Sequence, residues 1–289
     1  MAEILLIQGD PGRVIFRSHH AIMDGRGTFT WAEDVFKALR GEDIRPSDVA
    51  IIEDDLLNIT PGGAGTPISQ RFAAPRLKRP GVERGIIWRR LTIQGRFARL
   101  LPQMLLLTAK EIWRTAPGPV RFGVPVDLRP RRENLRSTGN LTNAIFMGIT
   151  PVSTVGDLAR ELSQRLQERR DGQMTWEDTV VRYLPLKVLE VALRIEAQRS
   201  HRTGNYRCSG LISNVGRADL GSFHGGGFAA ENYWAVPVCL ESIPLSIVMT
   251  GVGETVNLML GMPRALAAHE DLDEMLGRMA AGLMPAPDI

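Results

Sequence analysis

Two short apolar runs near the start of the chain, Ile4–Gln8 and Val14–Ser18, constrain the fold most tightly, because only Gly-Asp-Pro-Gly-Arg separates them. Asp-Pro-Gly is strong turn chemistry, so the pair reads as a β-hairpin. The second run ends on two adjacent histidines, and the chain continues His-His-Ala-Ile-Met-Asp-Gly-Arg-Gly from His19 to Gly27. Beyond it, Thr28 or Thr30 is a candidate N-cap for a short amphipathic helix bearing Trp31, Val35, Phe36 and Leu39, with Gly41 as its stop. The histidines therefore lie where a strand ends and a helix begins. Strand alternation puts Val14, Phe16, Ser18 and His20 on one face and Ile15, Arg17 and His19 on the other, so the two imidazoles cannot share one task.

A carboxylate four residues beyond His20, at Asp24, either orients the imidazole or pins the loop through another partner. Gly25 and Gly27 permit close backbone approach and precede a helix N-terminus, whose amides favour negative charge; glycines that merely allow a tight turn are the plainer alternative. An isolated His and Asp would read as a core histidine beside an N-capping Asp. In a chain with five histidines the full combination is too rare by composition for that reading.

The remaining pattern is mixed. Residues 58–85, with Thr-Pro-Gly-Gly-Ala-Gly-Thr-Pro and further prolines, read as a linker. A long helix is expected around Thr92–Trp113, strands around Val120–Val126 and Thr142–Ile149, a helix around Thr154–Arg170, and a mostly helical stretch over Trp176–Gln198. Strand-like runs follow at Arg207–Gly216, Gly227–Val238, Ile243–Thr250 and Thr255–Met262, before a last amphipathic helix over Ala265–Leu283. Alternating elements of this kind imply a mixed α/β class.

Composition excludes several functions. With 44% hydrophobic and 23% charged residues the chain can bury a core, and no apolar run reaches the roughly 18 residues of a membrane helix. The first residues lack signal-peptide features, which makes the cytoplasm the expected location. Cys208 and Cys239 fit no metal-ligand spacing and read as free thiols, so neither a metal nor a permanently bound cofactor is expected. A net charge of +3 and the basic stretch Arg71–Arg90, without an aromatic ladder, do not suggest nucleic acid. That stretch reads as a solvated linker, or as a contact for a phosphate-bearing arm or an acidic carrier.

His-His-Ala-Ile-Met-Asp-Gly resembles the HHxxxDG motif of the chloramphenicol acetyltransferase-like superfamily, which includes peptide-synthetase condensation domains and related acyltransferases. Three later segments are similar to landmarks of that superfamily in the same order: Phe122–Arg131, Gly139–Phe146 and Leu211–Leu220. The resemblance implies a two-lobe acyltransferase-like fold in which residues 1–57 end an incomplete N-terminal lobe, 58–85 link, and 86–289 form the C-terminal lobe. It implies His20 as the catalytic base, moving an acyl group from coenzyme A or a carrier's phosphopantetheine arm, as co-substrate, to a hydroxyl or amine. It implies Gly25 beside the reacting centre, and Asp24 in a structural salt bridge with Arg129, with Arg131 and Arg132 as rivals. His19, Asn143, Ser213 and Asn214 are the implied substrate-binding residues. A carrier protein, and a complementing subunit or second copy of the chain, are the implied partners; a non-catalytic scaffold that binds a carrier is the alternative.

Overall fold

The protein is described from a computed structural model over residues 1–48, 50–57, 70–77, 84–169 and 183–286. In chain order, β1 (Ala2–Ile7) and β2 (Arg13–Ser18) form an antiparallel hairpin with Leu5 opposite Ile15. Helix α1 (Gly25–Leu39) follows, then the short β3 (Phe72–Ala73), β4 (Ile86–Gln94), α2 (Leu100–Trp113), β5 (Val120–Asp127), β6 (Thr142–Ile149) and α3 (Val155–Gln167). After α4 (Leu186–Thr203) come β7 (Asn205–Tyr206), β8 (Gly210–Ala218), β9 (Ser246–Val252), β10 (Thr255–Pro263) and α5 (His269–Ala281).

Six of the strands form one mixed sheet in the order β4-β10-β9-β8-β5-β6. β8 runs parallel to both β5 and β9, and the remaining pairs are antiparallel. One face of the sheet carries the main core. Met104, Leu105 and Ile112 of α2 and Leu272, Met275 and Met279 of α5 bury against Phe122, Met249, Leu258 and Leu260 of the strands. Burying side chains of this size contributes about 1.5–3 kcal/mol each, so this face anchors the sheet. The opposite face is left for the site.

Part of that opposite face is crossed by an irregular segment between β8 and β9. It is held by Asn257 Nδ2, which donates to Asn232 Oδ1 at 2.8 Å and to the Tyr233 carbonyl at 3.0 Å, and by Thr250 Oγ1, which donates to the same carbonyl at 3.1 Å. A second core joins α1 to this region. Phe29 and Phe36 meet Phe223, the Phe29 contact being edge-on with ring centroids 5.1 Å apart.

The sequence pattern and the structure differ in three places. The expected helix over Thr92–Trp113 is a strand to Gln94 and a helix only from Leu100. Gly95, at φ +119, turns the chain between them, and residues 88–94 alternate in burial as a strand must. The run Gly227–Val238 forms no strand, since its carbonyl at Tyr233 takes side-chain donors instead of a ladder. Within 58–85, the described residues include Phe72 and Ala73, both buried and paired with β7, so this part is built into the fold. The rest of that stretch, residues 58–69 and 78–83, lies outside the described residues, as do 176–182 of the expected helical stretch.

Candidate active site

A cleft of about 2710 Å³ lies between the β1–β2 hairpin and α1 on one side and the open sheet face on the other. His20, Gly25, Asn143, Ser213 and Asn214 all line it.

Local hydrogen bonding explains how His20 is delivered. After β2 the chain folds into a turn, with the amides of Ile22 and Met23 donating to the His19 carbonyl at 2.8 and 3.2 Å. The turn ends at Asp24, whose extended backbone makes it the N-cap of α1. Its Oδ1 accepts from the Gly27 amide at 2.6 Å, satisfying one of the orphan donors of the first turn. Thr28 instead bonds Ser18 through the two hydroxyls at 2.8 Å, tying the end of β2 to the helix.

Asp24 is 2% exposed and accepts four further bonds. Arg129 Nη2 and Nη1 donate to Oδ1 and Oδ2, both at 3.1 Å, and Oδ2 also accepts from the Leu141 amide at 2.7 Å and the Thr142 hydroxyl at 2.8 Å. Arg129 follows the wholly buried Leu128 in a 3-10 turn at the end of β5. Its remaining N–H groups go to the Ser137 carbonyl at 2.8 Å, Asp127 Oδ1 at 2.7 Å and the Gly139 carbonyl at 2.6 Å. All five guanidinium donors are thereby used, a geometry that lysine cannot supply. The two rivals do other work or none here: Arg131 donates to the Leu56 carbonyl at 3.2 Å, and Arg132 is exposed.

Burial is the largest influence on Asp24 and pushes its pKa up. The hydrogen bond from Arg129, the Gly27 amide, the Arg129 charge and the Leu141 amide together outweigh it, and the carboxyl sits below the usual range. Burial likewise opposes the charge of Arg129, but Asp24 and then Asp127 raise its pKa. A buried carboxylate that accepts five hydrogen bonds is held firmly in place, and through them Asp24 ties the turn after β2 to the ends of β5 and β6.

The other residues named from the sequence separate. His20 is exposed at the cleft, and among the described residues no hydrogen bond holds its ring. His19 is not among the residues that line the cleft, and its Nδ1 accepts from the Ala21 amide at 3.2 Å within the turn. Gly25, the first residue of α1, has nothing within 4 Å of where a Cβ would stand. Gly27 is the sterically required glycine, since a Cβ there would lie 2.2 Å from the Thr138 carbonyl oxygen.

Asn143 donates to the Glu53 carboxylate, and its Oδ1 accepts from the Ala144 amide at 2.6 Å. Asn214 is exposed, its Oδ1 accepting from the Gly216 amide at 3.0 Å, while Ser213 is half-buried in the wall. Glu53 and Asp127 are among the cleft carboxylates that the sequence pattern does not single out. Asp127, beside Arg129, had a signal in its spacing of two residues; Glu53 had none. Among the described residues no three His, Cys, Asp or Glu side chains gather as a metal site.

No family model and no curated protein matches the sequence. Solved structures do match. The epimerization domain from the third module of tyrocidine synthetase B is similar over 97% of this chain and 70% of that one, with TM-score 0.56 and 10% identity. Polyketide synthase associated protein 5 from Mycobacterium tuberculosis gives TM-score 0.55 and 14% identity, over 97% of this chain and 75% of that one. A mutant starter condensation domain of rhizomide synthetase, in complex with C8-CoA, gives TM-score 0.52 and 15% identity, over 95% and 68%. The chain has the condensation-domain fold, the mixed α/β architecture that the motif order implies.

Proposed function

We propose that the cleft moves an acyl group from a thioester to a hydroxyl or amine, with His20 as general base. The observation that carries this reading is the placement of His20: it lines the cleft, among the described residues no hydrogen bond holds its ring, and its turn is fixed by Asp24 and Arg129. The imidazole takes the acceptor's proton as the acceptor's oxygen or nitrogen bonds to the carbonyl carbon. The tetrahedral oxyanion lies toward Gly25 and the N-terminus of α1. Its collapse breaks the carbon–sulfur bond, and the departing thiolate takes the proton from the imidazolium.

The donor's thiol belongs to coenzyme A or to the phosphopantetheine arm of a carrier protein, which makes the cytoplasm the setting. The apolar β1, on which Leu6 is 76% exposed, gives a complementing chain or second copy a place to add a strand. A mass in solution of one chain for the active protein would dismiss that partner.

The test is thiol release from acyl thioesters offered with mixed alcohols and amines, comparing the parent with His20→Ala. Loss of the base should lower kcat about 100-fold to 10,000-fold with an unchanged melting temperature. Full activity in an active parent's His20→Ala variant refutes the assignment. That no described residue orients the His20 ring through a hydrogen bond favours a second reading, a scaffold that binds a carrier without chemistry. Carrier binding undiminished in His20→Ala, with no turnover in any preparation, would select it.

A further inference from the structure

Helix α4 presents two apolar stripes to different surroundings. Leu189, Ala192, Leu193 and Glu196, spaced as neighbours on one helix face, line the cleft. Val188, Val191 and Ile195 repeat that spacing on a second stripe, and none of them is among the cleft residues. They are 50%, 55% and 61% exposed. At about 100° per residue the two stripes lie about 120° apart around the helix, so the second one faces outward.

Continued at the same spacing, the outer stripe reaches Arg199 and Arg202, both exposed, while Lys187 and Arg194 stand along its side. The acidic residues of α4 are engaged: Glu190 by Arg194 at 2.6 Å, and Glu196 by Arg71 at 2.5 Å on the cleft side. Among the described residues no ion pair engages Lys187, Arg199 or Arg202. The exposed Tyr183 stands just before the helix. The outer face thus joins aliphatic side chains to unpaired cations.

We propose that α4 lies on an anionic membrane surface, with Val188, Val191 and Ile195 at the headgroup boundary and Lys187, Arg199 and Arg202 on lipid phosphates. A basic amphipathic helix suits such a surface, because apolar burial and attraction to anionic lipid add. The long basic side chains cover apolar surface with their stems while their heads reach the phosphates. No described helix is long and apolar enough to cross a membrane, so α4 rests in the plane of the surface.

A second copy of the chain fits this face less well. One face of an 18-residue helix is about 27 Å by 10 Å, about 270 Å², a third of the about 800 Å² per partner in a stable pair. Pairing α4 with its own copy also brings Lys187, Arg199 and Arg202 near like charges, with Glu190 as the outer acid to offset them. The proposal is independent of the acyl-transfer reading, since it concerns the face of α4 turned away from the cleft.

The experiment is sedimentation of the full chain with vesicles of phosphatidylcholine alone and with about 30% phosphatidylserine added. Each basic residue at an anionic surface is worth roughly fivefold, so the parent should partition at least about tenfold more onto the anionic vesicles. Salt at about 0.5 M should remove most of that preference. Val188→Ser/Val191→Ser/Ile195→Ser should lower binding about tenfold or more. Lys187→Gln/Arg199→Gln/Arg202→Gln should lose the preference for anionic lipid. Arg96→Gln/Arg114→Gln/Arg160→Gln removes as much charge from exposed positions outside α4 and should bind as the parent does. If the serine variant melts early, the glutamine variant, altered only at exposed positions, carries the test.

No sedimentation with either vesicle, equal binding to both, or an equal loss in the control variant overturns the proposal. A solution mass of two chains that falls to one in the serine variant assigns the face to a second copy and overturns it as well. Turnover enters none of these measurements, so the membrane contact and the His20 chemistry stand or fall separately.

Discussion

Replacing Asp24 with Asn keeps the shape of the side chain and removes its charge, which isolates what the carboxylate does. Oδ2 accepts three hydrogen bonds, from Arg129 Nη1, the Leu141 amide and the Thr142 hydroxyl, and Oδ1 accepts two, from the Gly27 amide and Arg129 Nη2. The best placement of an asparagine oxygen is at Oδ2, which turns its NH2 toward two donors. Leaving two buried donors unmet costs about 1–3 kcal/mol each, close to the about 3–5 kcal/mol expected for breaking a buried ion pair from one side. At about 2–4 °C per kcal/mol for a chain near this size, the melting temperature should fall by roughly 6–20 °C.

The pH dependence has a definite sign. Asp24 has a depressed pKa when folded, so its contribution is fully present above the unfolded value of about 3.9 and is lost as pH falls through the folded one. The deficit of the Asn variant should therefore be full at neutral pH and close below about pH 4. Urea unfolding followed by circular dichroism, with Arg129→Met and the double variant completing a cycle, measures both the loss and the coupling. A loss under about 1 kcal/mol, or a coupling under about 0.5 kcal/mol, refutes the pairing as the anchor of the turn.

The two glycines of the motif should part in behaviour. Gly27→Ala drives a Cβ into the Thr138 carbonyl and should destabilise by about 1–3 kcal/mol, whereas Gly25→Ala, in open space at a helix start, should be neutral or gain up to about 1 kcal/mol in thermal unfolding. Tyr206→Phe should unfold at the same temperature or higher, because among the described residues the buried hydroxyl has no hydrogen-bond partner that its removal would leave unmet. Burial pushes the Cys239 thiol up to about 11 and raises that of Cys208, so at pH 8 Cys239 should react with an aromatic disulfide roughly a hundredfold more slowly than a free thiol, and Cys208 also more slowly, until urea unfolds the chain.

What the sequence made legible was local chemistry. Asp-Pro-Gly announced the hairpin, and Asp24 to Gly27 announced a loop entering a helix. Even there Asp24, not Thr28 or Thr30, proved to be the cap, because an aspartate already fixed by Arg129 can also reach the Gly27 amide. Where two elements share similar residues the reading failed. Residues 92–113 hold apolar side chains throughout, and only the turn at Gly95 decides that the first of them belong to β4. Glu53 carries no local signature, since its contact with Asn143, far along the chain, marks its place at the cleft.

His20 and the residues that hold its turn lie far apart in sequence. The hydrogen bonds from Arg129 and Leu141 to Asp24 span 105 and 117 residues. Their geometry exists only when β5 and β6 are paired, because Arg129 follows one strand and Leu141 precedes the other. Loop motions that leave the sheet intact cannot release the turn, while any opening of the β5–β6 pair must. The position of His20 is thus coupled to the same strand pair that floors the cleft. Variants that loosen β6 at Ile145 or Met147, both buried in the main core, should lower activity and stability together, and Asp24→Asn should respond no further to them once the tie is already lost.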